Sequence, residues 1–334
     1  MTKVVDTSMG ASVPARPTAR RPTTDGPRPA PGPSRPRRWR SYLASYLAIS
    51  PFFVLFAVFG VFPLGIAAYL SLHTWDGIGT MHYVGFEQFH RLLEDSQFWQ
   101  SLVTTIEIFA MSQAPMVVAA LVAAFVLSSD RLRFRGVYQT VYFLPQVTSI
   151  VVIAIVFQSL FGGNFGMINR LLVAVGLPSV DWMASTWGAN TVIALMIIWR
   201  GFGYLVIFFM AGMATIPPEL YEAAELDGAG GPRKLWSITL PMMRPTIVFA
   251  LLTGIVGGLQ IFTEPQILDV SGTSVPGMTM MLLQYQYLGQ SQSASVGADL
   301  GYASAIGWAV FALVTLASLG TLLMRRITGH KEVI

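Results

Sequence analysis

Few residues in this chain are equipped for chemistry. There is no cysteine, which removes disulfides, thiolate metal sites and Cys nucleophiles. Four histidines, His73, His82, His90 and His330, are scattered over predicted loops and tails and read as solvated side chains rather than a metal site. No G-x-x-x-x-G-K-[ST] string is present to cradle a nucleotide phosphate. No metal or cofactor is therefore expected, and no nucleic-acid partner. Two places remain. One is YEAAELDGAGGPRKLWSITLPMMRP (Tyr221–Pro245), where Glu222, Glu225 and Asp227 join Glu219 between two long apolar runs. The other is Arg200, near the middle of the apolar run around IIWRGFGYLVIFF, with Glu264 further along in GGLQIFTEPQIL.

The elements that must position these groups are apolar. Of 334 residues, 53% are apolar and 11% charged, against about 25% charged in soluble domains. Runs of about 20 apolar residues cross a bilayer, and six occur, at roughly 47–72, 103–127, 137–161, 189–213, 246–268 and 303–324. The expected fold is all-α: a polytopic membrane protein of six transmembrane helices. Residues 1–44 stand apart. The first 40 hold eight prolines and eight arginines, a composition too polar to bury a core, so a disordered basic tail is expected. Its arginines suit either anionic membrane lipid or simple orientation of the chain. The membrane domain should occupy 45–325 and a short tail 326–334. The first apolar run is too long for a signal-peptide core and lacks a small-residue cleavage site, so it is expected to remain.

Lysine and arginine in short flanking segments mark the cytoplasmic side. Nine precede the first span, and Arg131, Arg133 and Arg135 follow the second. Arg233, Lys234 and Arg244 follow the fourth, and Arg325, Arg326 and Lys331 the sixth. The alternate loops offer Arg91 and Arg170. Both termini, and the polar stretch at 219–245, are therefore expected in the cytoplasm. Trp75, Trp99, Trp182 and Trp187 near outer span ends read as interfacial anchors. With Asp76, Glu87, Asp95, Asp181 and Asp299 they also form a surface open to an external partner. Pro63 and Pro115 are expected to interrupt the first and second spans, Pro145 to open the third, and Gly201 and Gly203 to loosen the fourth. Such breaks suit a packed bundle with a path through it.

Pro217 and Pro218 start a helix at no cost, because the first turn has no use for their missing N–H groups. Glu219 and Glu222 then lie near the positive end of its dipole, and Gly228 can close it in a left-handed cap. A second short helix is expected from Pro232, before Leu240-Pro241. Exposed alanines between acids make either a docking knob for another protein or a solvated hairpin. Arg200, at a depth where a charge costs about 2.5–3.5 kcal/mol, needs a partner. Glu264 is the nearest by topology and Gln260 the better match in level. A structural clamp and a ligand-facing role are both open.

Glu222-Ala223-Ala224, three residues, Gly228, nine residues, then Ile238-Thr239-Leu240-Pro241 resembles the signature loop of permease subunits of bacterial ATP-binding-cassette importers. YFLPQVTSIVVIAIVFQSLFGGNFGMINRLL, IPPELYEAAELDGAG and GYASAIGWAVFALVTLASL extend the likeness to carbohydrate permeases of the maltose type, over essentially everything after residue 45. The resemblance implies a type I importer permease in which Glu222, Ala223, Ala224, Asp227 and Gly228 couple to a separate cytoplasmic ATPase dimer. It implies a second, different permease subunit, an extracytoplasmic solute-binding lipoprotein and a sugar substrate. It places sugar contacts at Arg200, Gly201 and Tyr204, and more loosely at Gly257, Gly258 and Gln260, with Glu264 alongside. An arginine stands where the maltose permease has an apolar residue, and the Asn-rich run of its fifth span is absent. The resemblance leans instead to actinobacterial permeases for cellobiose and other β-linked oligosaccharides. Two alternatives belong to other classes: a proton-coupled secondary transporter using Arg200 and Glu264 as a relay, and a membrane-bound glycosyltransferase, for which the outer acids are too dispersed.

Overall fold

The structure, a computed structural model, describes residues 38–129, 132–163, 166–268, 277–289 and 297–328. The chain divides into two compact units, residues 1–57 and 58–334. Helix α1 (Arg38–Phe56) belongs to the first. It begins inside the segment expected to be tail; the rest of that segment, with Arg131, His330 and Lys331, lies outside the described residues. A π-helical turn at Ala57–Val61 leads into α2 (Phe62–Leu70), with Pro63 in its first turn. The span Ser45–Leu70 is thus helical throughout, and the irregularity occurs at the turn before the proline.

A two-stranded antiparallel ribbon, β1 (His73–Thr74) and β2 (His82–Tyr83), follows. Then come α3 (Glu87–Glu94) and the 32-residue α4 (Ser96–Leu127). Asp95 accepts the Gln97 amide to cap α4, the ordinary service of Asp at a helix start. Pro115 lies within α4 without ending it. Beyond α4, α5 (Arg135–Val147) and α6 (Ile150–Phe161) meet at 94°. The third span is therefore broken rather than continuous over 137–161. Pro145 removes a backbone donor near the end of α5, the Thr148 hydroxyl donates to the Leu144 carbonyl, and the Thr148 backbone is extended.

Helix α7 (Met167–Ala174) lies in the connection to α8 (Thr186–Met213). Three short helical pieces follow: α9 (Pro218–Leu226), α10 (Gly231–Lys234) and α11 (Leu240–Met242), the last two joined by a π-helical turn at Leu235–Thr239. Next are α12 (Arg244–Gly258), α13 (Thr263–Leu268), α14 (Met280–Tyr287) and α15 (Leu300–Thr328). The fifth span does not run on to 268 as one rod. Phe109 presses on Gly258, and the Thr279 hydroxyl donates to the Ile261 carbonyl at 2.7 Å, an acceptor that Pro265, lacking an N–H, would leave unpaired in an onward helix. Among the described residues four helices are long and apolar enough to cross a membrane, or up to six crossings if each bent pair, α5–α6 and α10/α11–α12 (71°), counts as one.

The core of the second unit is the parallel packing of α4 along α8, start beside start and end beside end. Ala120 and Ala124 of α4 are fully buried against Val206 and Phe209 of α8, with Met213 and Met243 closing the end of the cluster. Small residues let the backbones approach where lipid gives no hydrophobic drive to associate. Gly203 carries this furthest: a methyl there would run into the Tyr142 carbonyl of α5. Gly201 meets the Met116 sulfur in the same way. These glycines are close-approach points between helices in an unbroken α8, not places where the span loosens. Exposed large apolar side chains, among them Phe59, Phe62, Val118 and Leu316, cover the outside of the unit, as expected where the solvent is hydrocarbon.

Candidate functional site

Helix α9 starts at Pro218 with Glu219 in its first turn and ends at Asp227. Gly228 follows at φ +75°, the left-handed region that glycine enters without strain. The Gly228 and Ala229 amides then reach back to the Glu225 and Ala224 carbonyls, so the cap closes on its own backbone. Glu222, Ala223 and Asp227 are exposed and Ala224 is half-buried. The back of α9 is pinned: Tyr221 and the fully buried Thr239 share a 2.9 Å hydrogen bond, and Lys234 pairs with Glu225 at 3.4 Å. Leu226 is 90% exposed and Trp236 71%, so the knob offers apolar as well as acidic surface. Sequence reasoning placed both ends of α9 correctly. It missed Tyr221–Thr239 and Trp236, because neither follows from a short-range rule.

The second place is the middle of α8. Arg200 Nη1 lies 3.5 Å from Glu264 Oε1 on α13, with side chains 35% and 14% exposed. Helix α13 resolves the expected mismatch in depth, because the turn after Gly258 brings Glu264 back toward α8. The Arg200 Nε is buried with no hydrogen-bond partner among the described residues. Tyr204, Gly257 and Gln260 are exposed. Gly201 and Gly258 are instead closed by Met116 and Phe109. The structure thus brings Arg200 and Glu264 together and leaves Tyr204, Gly257 and Gln260 open to an occupant.

A third charged group escaped notice in the sequence. Glu107, on α4, is exposed and accepts a 2.8 Å hydrogen bond from Asn190 Nδ2 of α8. A single Glu inside an apolar run was the available signal.

The end expected to face outward is built around Arg91. Its guanidinium meets Asp299 at 2.6 Å and stacks 4.0 Å over the Tyr302 ring, while Tyr302 donates to Asp95 at 2.5 Å. Burial alone would lower the Arg91 pKa, but the hydrogen bond and charge of Asp299 outweigh it and leave the net shift upward. Burial, then the Asp95 charge, raises Tyr287. Asp95 and Asp299, read earlier as free to meet a partner, are engaged internally. A cavity of about 820 Å³ opens here, between Phe86, Tyr287 and the charged side chains of α3, away from Arg200. Nor is His73 solvated: it is buried, bonded to the Tyr69 carbonyl at 2.7 Å and packed by Tyr69 and Tyr83. Trp182 donates to the buried Asn169, which also ties Gly163 to Val180. Among the described residues no group of three or more His, Asp or Glu is arranged for a metal ion.

Residues 116–330 match the family described as "Binding-protein-dependent transport system inner membrane component". The chain belongs to this family. The lactose transport system permease protein of Rhizobium radiobacter is 31% identical over 82% of this chain and 91% of its own length. The arabinooligosaccharides transport system permease protein of Bacillus subtilis is 29% identical over 87% and 93%. A crystal structure of a bacterial ABC transporter involved in the import of the acidic polysaccharide alginate contains a chain that superposes with a TM-score of 0.72. It is 25% identical, over 88% of this chain and all of that one. The protein is accordingly a sugar-transporter permease of the ATP-binding-cassette importer class, a multi-pass inner-membrane component. It is not an enzyme; ATP hydrolysis resides on a separate subunit. The proton-coupled alternative has no support in these likenesses.

Proposed function

We propose that this permease forms half of the translocation path of an oligosaccharide importer, and that α9 is the element through which a cytoplasmic ATPase dimer drives it. One observation carries the reading: α9 is an exposed knob fixed at both ends, by Pro218 at its start and by the left-handed Gly228 beyond its last turn. Such a knob transmits a push without deforming. Glu222, Ala223, Ala224, Asp227 and Gly228 form the contact. Arg200, Glu264, Tyr204, Gly257 and Gln260 face the sugar from this half, with Gly201 and Gly258 setting the helix spacing behind them.

Both termini and α9 then lie in the cytoplasm, in keeping with the basic residues flanking alternate spans. A second, different permease completes the path, and a solute-binding lipoprotein delivers sugar from outside. The relatives described for lactose and arabinooligosaccharides favour a short saccharide. The stretches around Arg200 and GGLQIFTEP favour a cellobiose-like, β-linked one. The test is uptake of labelled cellobiose and lactose by proteoliposomes of the whole transporter. ATP should drive import, and removal of the ATPase should end it. Import driven by a proton gradient without ATP overturns the proposal.

A further inference from the structure

Glu107 is an exposed carboxylate in the apolar run of α4, at a depth where a charge needs protein or water around it. It is held in place at a cost. Asn190 is fully buried, spends its Nδ2 on Glu107, and is left with an Oδ1 that has no hydrogen-bond partner among the described residues. A buried acceptor left unpaired is rare and destabilising, which argues that Asn190 serves the carboxylate rather than its own burial.

Asn190, Ile193, Ile197, Arg200 and Tyr204 follow one another on α8 at steps of three and four residues. They form one stripe of the helix. Glu107 therefore meets α8 on the stripe that carries Arg200 and Tyr204, about 15 Å along the axis from Arg200.

We infer that Glu107, positioned by Asn190, is a second sugar-binding station on the same path, nearer its outer mouth, and that it selects neutral sugars over uronates. This rests on the proposed importer reading. A carboxylate accepts from two neighbouring hydroxyls of a sugar ring at once and repels a uronate. Arg200 does not offset that repulsion, because Glu264 already neutralises it. Two stations about 15 Å apart suit an oligosaccharide, one end at Glu107 while the other reaches Arg200 and Tyr204.

The competing occupant is a helix of the partner permease. Exposed Val103, Ala110 and Ala114 flank Glu107 on α4, a small-residue face that would pack well against another helix. The absence of cysteine makes the decision direct. Ala110→Cys, one turn from Glu107, keeps the carboxylate intact. In the assembled transporter it is exposed from outside to a charged, membrane-impermeant methanethiosulfonate, with the unmodified transporter as blank. The inference expects rapid labelling that slows at least about tenfold under saturating cellobiose or lactose, whichever is imported, and not under an alginate trisaccharide. No labelling means a dry helix contact and overturns it, as does labelling that sugar leaves unchanged or that alginate slows equally.

A second arm uses Glu107→Gln. It should raise the KM for uptake about tenfold, the loss of one hydrogen bond to a charged group, while the amount of assembled complex stays the same. Loss of assembly instead of a KM change overturns the inference. If the unmodified transporter imports neither sugar under ATP, the importer reading fails at that step. The labelling arm still decides whether Glu107 faces water.

Discussion

The polar groups of α9 are exposed and fixed by local backbone geometry, whereas Arg200 and Glu264 sit within the apolar bundle and are fixed by each other. In the loop, side chains can change with little effect on folding, because water solvates whatever remains and the Gly228 cap holds the shape. In the bundle, neither partner can change alone, because the other is left as an uncompensated charge. A residue's contribution to function and to stability should therefore separate cleanly at α9 and be entangled at Arg200.

The largest effect that could break this comparison is at Gly228. Proline fixes φ near −65°, opposite in sign to the +75° found, so Gly228→Pro should reduce ATP-driven uptake to background with the protein still inserted at normal level. Glu222→Arg should do the same by reversing charge on the exposed face. Membrane abundance measured beside uptake checks both; lost abundance would place α9 in the fold rather than in the drive.

Next in size is Arg200→Leu. A lone buried carboxylate costs about 3–5 kcal/mol, less here because the pair is partly exposed, so abundance should fall several-fold. Arg200→Leu with Glu264→Gln should restore abundance and leave uptake impaired. Recovery of both would make the pair a clamp with no part in the path.

How much of this was legible in the sequence follows the same division. Pro218, Glu219 and Gly228 act through rules that span four or five residues, so α9 and its cap could be read directly. The 94° corner at Thr148–Ser149 and the stop after Gly258 could not. The stop depends on which distant groups arrive, Phe109 against Gly258 and Thr279 on the Ile261 carbonyl; at the corner Pro145 signals a break but does not set its angle. Burial of His73 required the ribbon that packs Tyr83 on it. The Arg200–Glu264 pair was legible as a need, since an intramembrane charge demands a partner, and its geometry was not.

A smaller effect separates packing glycines from open ones. Gly203→Ala should cost about 1–3 kcal/mol through overpacking on Tyr142, seen as a lower unfolding temperature in detergent. Gly257→Ala meets nothing within 4 Å and should be close to neutral. Smallest is Lys234→Ala. Its pair with the exposed Glu225 should contribute under about 1 kcal/mol, and uptake should be nearly unchanged if the Tyr221–Thr239 bond holds the back of α9.

The Arg91–Asp299–Tyr302–Asp95 cluster has a mechanical consequence. It bolts the start of α15 to the start of α4, residues 207 apart in the chain. With those ends fastened, any tilt of α4 would make it a lever with its pivot at the cluster. Thirty-two residues make an arm of about 48 Å. A tilt of about 10° at the pivot would sweep the far end through about 8 Å, more than one helical turn. If α9 is driven as proposed, a modest push at the nearby end of α4 would be geared down to small, firm displacements near Arg91.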